Sequence, residues 1–548
     1  MIGILKNLNF IDKEIFAAQR QMFMAPRERK AEYKPLSFST TMRNPARIAD
    51  FLQCILPYQG QILTNRIILA VAAALIKKKL YQPLYINRTP RLKAVLNEER
   101  DFSDEEAAEI MQNSPQNHKE AGFDKGWPSR FDTWYKLSME FGFIYYEMDS
   151  PIEISPTGHM LIDAHNENPV NDEKIKNVFL NALMKYQTNN PFRKNANDNS
   201  PLVLLLQVIK LLKEDPDEND AGIFRSELSL IICWPNRDAY ALYQKIKELR
   251  GAFRFTYGDE IIYEICLDLL GATERQRNRF KLNQITGEAV DEFIRKMRIT
   301  GVVSLRGNGR FIDFNSFESD KIEYILKHYS ICETHNTKAA FFKYIGTIDP
   351  NILSLTQPVD ENAASDVRIA TLKRWAEEYS KDDIVNELNI VCSHGESKNP
   401  VLKIIDKPTR LEFLTSIALT QHFPGLRVQP HYHVDDEGLP TFTASGGTAD
   451  IECCDEDCIL LVEVTLMCAR NQATNEMPAI TRHLQEAMEQ QPERTLFSLL
   501  LAPSIHADSK YMAAFSKHQY KVDILTLTIN EFIAQISTKE RIKEMLSV

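Results

Sequence analysis

The sequence predicts a multidomain α+β protein, with a helical N-terminal region of helix-plus-hairpin units, a helical connector and a C-terminal α/β domain. Three observations carry this expectation. A chain of 548 residues exceeds what one hydrophobic core covers, and its apolar fraction of 44% is enough for several. In the first half, helical patterns twice lead into a pair of short strands joined by a turn. From about residue 400 onward, short strands separated by Gly and acidic turns alternate with helices. The expected divisions are 1–165, 166–315, 316–399 and 400–548.

Each element follows from its residues. Asn44 and Pro45 open a helix whose apolar Ile48, Phe51, Leu52 and Ile55 recur at helical spacing, and a second apolar helix ends in Lys77, Lys78 and Lys79. Residues 100–120 are polar and read as a solvated helix or loop. In GWPSRFDTWYKLSMEFGFIYYEM a helix runs to about Phe141, and Gly142 leads into the strand FIYYEM, which IEISPTG follows as a second strand. The order then recurs. SPLVLLLQVIKLLKED is a helix with Ser200 as cap and Pro201 in its first turn, and two more helices follow. DEFIRKMRITGVVSLRGNGRFIDF gives a helix, a strand, the turn Gly307-Asn308-Gly309 and a second strand. These units are winged-helix-like. Such a unit can place one helix in the DNA major groove, and it is equally a common packing solution with no nucleic acid nearby. The connector, with segments such as VRIATLKRWAEEYS, carries no chemical motif.

Composition excludes some classes and leaves others open. No apolar run approaches the roughly 18 residues of a membrane span, and the start MIGILKNLNFIDKE lacks the order of a signal peptide, so a cytoplasmic protein without membrane contact is expected. Nine cysteines in such a chain read as reduced thiols. A net charge of −10 does not exclude DNA, because local basic patches act on phosphates.

The chemistry concentrates in ADIECCDEDCILLVEVT, Ala449 to Thr465. Cys453, Cys454 and Cys458 lack the C-x-x-C spacing and second ligand pair of a zinc site, and read as small residues on a hairpin. The carboxylates point elsewhere. Asp450 precedes the strand IECC, and after the turn ILLVEVT returns apolar on both faces, as in a sheet interior. Glu463 inside that strand would cost several kcal/mol if ionised and unpaired, so it calls for a cation or a wet cleft. An Asp and a Glu on neighbouring strands can share a hard divalent ion such as Mg²⁺ and act on a phosphodiester. Glu412, on the preceding helix, can point at the same cleft. In NEMPAITRHLQEAM, read as a helix with Asn475 as cap and Pro478 in its first turn, Glu476 and His483 lie seven apart on one face. Arg482 is a phosphate contact or a solvated side chain.

The order helix, Asp, strand, Glu-Val-Thr, helix resembles the PD-(D/E)xK nuclease core. The set SFSTTMRNP, GWPSRFDTWYKL, GTADIE, VEVT and ITRHL resembles more narrowly the AlwI family of type IIS restriction endonucleases, which includes nicking enzymes, from about Pro35 to Phe515. The resemblance implies that Asp450 and Glu463 are metal-binding acids, Glu412 the acid of the preceding helix, and Glu476 and His483 helix-borne active-site residues. Ala449 stands where the motif has Pro, and Thr465 where it has Lys, on the strand face of Glu463. The proton acceptor stays open between His483, Glu476 and a hydroxide on the metal.

The resemblance further implies Mg²⁺-dependent cleavage of double-stranded DNA a short distance from an asymmetric site read by the N-terminal region. Arg43, Arg130, Arg225 and Arg237 are candidate DNA contacts there, each equally a phosphate contact or a structural ion pair. One nuclease domain cuts one strand. A second would come from a homodimer on DNA or a separate small subunit; otherwise the enzyme nicks. The alternative of another class is a DNA-binding regulator with an inactive nuclease-like domain.

Overall fold

The computed structural model describes residues 38–546 apart from 39–41, 43, 97, 99, 194, 196, 219–221, 273–279, 358, 394 and 469. Arg43 therefore lies outside the described residues. Near the N-terminus the Asn44 side chain accepts from the Ala46 N–H, a 3₁₀ turn over Pro45–Arg47 follows, and helix α1 (Ile48–Ile55) buries Ile48, Phe51, Leu52 and Ile55. Helix α2 (Trp127–Glu140) leads through Gly142, at φ +73°, into β1 (Ile144–Tyr145), which pairs antiparallel with β2 (Glu153–Ile154). The second strand is shorter than expected. Ser155 accepts from the Gly158 N–H and caps helix α3 (Pro156–Asn166), so Ser-Pro-Thr-Gly begins a helix instead of prolonging the strand.

In the middle region helix α4 (Pro201–Glu214) buries nine residues, Leu202 to Leu206 among them. Its N-cap Ser200 forms no capping bond, because its hydroxyl is engaged with the Cys332 thiol at 2.8 Å. Strand β3 (Ile223–Phe224), helices α5 (Leu228–Cys233), α6 (Ala239–Phe253) and α7 (Ala289–Arg298), and strands β4 (Val303–Arg306) and β5 (Phe311–Phe314) complete the unit. β5 is the central strand, with β3 and β4 antiparallel on either side. Buried Arg250 of α6 is fastened to Glu227, Glu218 and the Gly222 carbonyl at 2.7–2.8 Å, which fixes α6 against the entry to β3 and α5. Gly307, Asn308 and Gly309 all have positive φ, as a reversal this tight requires.

The C-terminal sheet has the order β12-β11-β10-β9-β6. β10 (Cys458–Val464) runs parallel to β11 (Thr495–Ala502), which is parallel to β12 (Ile524–Thr528), and antiparallel to β9 (Ile451–Cys454), which pairs with β6 (Arg427–Pro430). Strand β10 is thus interior, and alternation sorts its side chains. Cys458, Leu460 and Val462 join the main core with helix α10 (Lys407–His422), on which α8 (Glu361–Glu378) and α9 (Lys381–Cys392) pack. Ile459 and Leu461 face the opposite layer of α11 (Met477–Gln490) and α12 (Ala507–Tyr520). Among the described residues no helix is long and apolar enough to cross a membrane.

A small hairpin, β7 (Tyr432–Val434) and β8 (Pro440–Ala444), bridges the middle region and the sheet. Its acidic turn docks on α7, β4 and the residues just past β5. Arg298 bonds Asp435 at 2.9 Å, and Arg306 bonds Asp436 at 2.9 Å and also Glu437. The Ser316 N–H donates to Asp436 at 2.8 Å. The Asp435 side chain is 1% exposed, and burial pushes its acid up to about 6 against the pull of Arg298. Removing the guanidinium leaves a buried carboxylate unpaired. Arg298→Ala should therefore cost about 3 kcal/mol in a denaturation experiment, and adding Asp435→Asn should recover part of it. A melt unchanged by Arg298→Ala would show that the junction does not depend on this pair.

Candidate active site

The antiparallel ladder places Val462 opposite Ile451, so the next residues, Glu463 and Asp450, come opposite one another at its end. The Val464 N–H donates to the Asp450 carboxylate at 2.7 Å, so the backbone of Glu463's strand aims Asp450. Glu412, in α10 and 3% exposed, accepts from the Ala444 N–H of β8 at 3.0 Å. Glu476 ends a π-helical turn, Gln472–Glu476, directly before α11. Asn475 thus lies inside a helical turn, where the sequence suggested a cap. The reason is Gln472, fully buried, whose side chain bonds the Met467 and Ser504 carbonyls, the His506 N–H and the Ser509 hydroxyl at 2.9–3.1 Å. This anchoring winds the helix one turn earlier.

Two turns on from Glu476, His483 Nδ1 lies 3.1 Å from Glu463 Oε1. Burial, then neighbouring Arg482, holds the imidazole below its usual range. The buried Nε2 has no hydrogen-bond partner among the described residues. All five residues, Glu412, Asp450, Glu463, Glu476 and His483, line one open cleft of about 1050 Å³. Asn168 and Pro169 line it too, and Pro169 sits so close that a Cβ on Gly446 would lie 3.1 Å from it. Sequence reasoning missed this wall, which forms from a distant segment only through tertiary contact.

The electrostatics follow from the crowding. Burial, then Glu463, pushes Asp450 well above the carboxylate range; burial, then Asp450, does the same to Glu412. Burial, then Glu476, raises Glu463, and burial raises Glu476. Among the described residues no Lys or Arg pairs with these four acids, and the nearby Arg482 turns to Glu486 at 4.0 Å. Four desolvated carboxylates without a cation fit a hard divalent ion, which takes oxygen ligands. No three such side chains among the described residues already converge as a finished metal cage.

The cysteines lie apart from this cleft. Cys453 and Cys458 are buried, and Cys454 Sγ donates to Glu452 at 3.2 Å. Burial raises all three thiols, which keeps them protonated. Of the candidate DNA-contacting arginines, Arg130 stacks over Tyr81 and Trp134, with ring centroids at 5.0 and 5.4 Å. Arg225 pairs with Asp291, and Arg237 bonds Asp198 at 2.8 Å with 36% of its side chain exposed.

The family model of the AlwI restriction endonuclease matches residues 139–372 and 349–534. No curated protein matches the chain. Among solved structures, the small subunit (R.BspD6I2) of the heterodimeric restriction endonuclease R.BspD6I aligns at 22% identity over 30% of this chain and 84% of its own, with a TM-score of 0.25. Restriction endonuclease FokI aligns at 11% identity over 93% and 98% (TM-score 0.26), and FokI bound to DNA at 12% over 94% and 98% (TM-score 0.25).

The repulsion has a measurable cost. An acid raised on folding contributes stability below its unfolded value and loses it as pH rises through its folded value. The metal-free fold is thus penalised most on the alkaline side. In EDTA at about pH 8, Glu463→Gln should be more stable than the parent by about 1–2 kcal/mol, and the gap should close towards about pH 5. A glutamine variant clearly less stable at the higher pH would mean that Glu463 serves as a structural partner instead.

Proposed function

The chain belongs to the AlwI restriction endonuclease family and is a type II site-specific deoxyribonuclease, and we propose that it is a cytoplasmic, Mg²⁺-dependent type IIS enzyme that cuts DNA beside an asymmetric site. The observation that carries the metal-dependent reading is Asp450 opposite Glu463, joined in one cleft by Glu412 and Glu476 with no Lys or Arg partner. Asp450 and Glu463 would hold the ion. When bound, it lowers the pKa of water and offsets charge on the phosphate being cut.

The chain's own residues supply the rest. Strand β10 keeps Glu463 rigid among apolar neighbours, and the Val464 N–H fixes the direction of Asp450. Neutral His483 orients Glu463 through Nδ1, and its Nε2 lone pair is the available proton acceptor. Glu412, tied to Ala444, closes the cleft from the α10 side. Thr465 contributes no positive charge, so charge neutralisation falls to the ion.

The unit formed by α4 to α7 and β3 to β5 supports a winged-helix-like recognition role for the region before residue 316. Arg237, the most exposed of the three described candidates, is assigned a phosphate contact, while Arg130 and Arg225 act mainly by holding that region together. One cleft per chain cuts one strand. Cleavage of both strands then requires a second copy on DNA or a separate nuclease subunit.

Digesting a sequenced plasmid with Mg²⁺ and mapping ends on both strands tests this reading and separates nicking from double-strand cleavage. Asp450→Ala and Glu463→Ala should each lower cleavage by at least about a hundredfold while specific binding in Ca²⁺ stays within about twofold. Substantial cutting by either variant would overturn the assignment.

A further inference from the structure

From Glu476 into α11 the chain presents two adjoining stripes to the cleft. Glu476, Ala479 and His483 recur at helical spacing and are half-buried, and the inner stripe they form holds His483 Nδ1 against Glu463 at 3.1 Å. One position earlier, Asn475, Pro478 and Arg482 recur in the same way, line the same cleft and stand exposed, so this second stripe is its rim. Among the described residues that line the cleft, Arg482 alone carries a permanent positive charge. Residues 445–448, which line it too, are exposed and uncharged.

Nothing in the fold commits the Arg482 guanidinium. Its ion pair among the described residues is with Glu486, one turn further along α11, at 4.0 Å, with 61% of the arginine and 57% of the glutamate side chain exposed. A pair at the limit of reach between two solvated side chains holds neither in place. A substrate strand, in turn, brings more negative charge to a cleft that already has too much. Four ionised carboxylates exceed the charge of one divalent ion, so the strand meets net repulsion unless a cation stands beside its path. A guanidinium suits that task, because its planar fork matches two phosphate oxygens at once and its charge does not titrate. Arg482 stands on the rim and pairs along the helix, away from the acids, which places it beside the reacting phosphate and not on it.

We infer that Arg482 grips a DNA phosphate next to the one being cut and so seats the strand against the acids. The inference rests on the nuclease reading above. Glu486 holds the guanidinium in the free protein and yields it to the phosphate, whose oxygens the fork fits better.

The test uses the full-length protein and a duplex spanning the cut found by end mapping, with single phosphates on either side of that cut replaced in turn by neutral methylphosphonates. Single-turnover cleavage in Mg²⁺ and duplex binding in Ca²⁺ are measured for the parent, Arg482→Gln, Arg482→Lys and Glu486→Gln. Arg482→Gln should cut about tenfold more slowly or worse, Arg482→Lys should fall between it and the parent, and Glu486→Gln should cut at least as fast as the parent. Affinity in Ca²⁺ should change by less than about threefold, since one phosphate contact of many is lost. One methylphosphonate beside the cut should slow the parent by a factor similar to that of Arg482→Gln, and should slow Arg482→Gln no further, because the contact it removes is already gone. An arginine with a merely structural role would leave parent and variant equally slowed by the methylphosphonate at every position. That result, or Arg482→Gln cutting like the parent, would overturn the inference. A parent that cuts no DNA at any Mg²⁺ concentration would instead refute the nuclease reading, and the inference with it.

Discussion

The active end of this molecule depends on one unfavourable arrangement, the gathering of four carboxylates in a cleft that has no Lys or Arg partner for them among the described residues. Isolated carboxylates would turn outward or protonate. Here the fold fixes them against that preference. Asp450 and Glu463 are held across the end of an antiparallel ladder, Glu412 by the Ala444 N–H, and Glu476 stands at the end of the turn that Gln472 anchors. The apolar sheet around them is what makes this affordable. Val462, Leu499 and Leu501 are each fully buried, so the strands that carry the acids have no alternative register.

The β7–β8 hairpin ties this cleft to the rest of the chain. Its turn is bound by Arg298 and Arg306 of the middle region, and the last residue of β8 holds Glu412. The same short element therefore touches the proposed recognition unit at one end and an active-site acid at the other. The loop around Pro169 approaches the cleft beside Gly446, just past the end of β8.

Much of the site was legible before any fold was drawn. A Glu inside ILLVEVT is an anomaly in an interior strand, and period-two alternation put Thr465 on its face. Helical spacing put His483 near Glu476, and the structure adds that His483 bonds Glu463 directly. Illegible were the contacts made by backbone groups and by distant loops. Gln472 is an unremarked polar residue in the sequence, yet it is buried with four hydrogen bonds and decides where the helix before Glu476 begins. Ser200 looked like a helix cap and bonds Cys332 instead. Arg225 and Arg130 looked like DNA contacts no less than Arg237 did, since an exposed and a paired arginine read alike in a sequence.

What the sequence determined by itself was the set of local preferences: helices with apolar stripes, the β9–β10 hairpin with its acidic turn, and the strand face shared by Glu463 and Thr465. These are period and turn chemistry, and they act over a few residues. What the tertiary structure decided was partnership: which carboxylate faces which, which arginine meets the turn at Asp435, and which distant segment walls the cleft. Such pairings join residues up to hundreds of positions apart, and they are settled by the burial of the whole core, where a single unpaired charge costs more than any local propensity can supply.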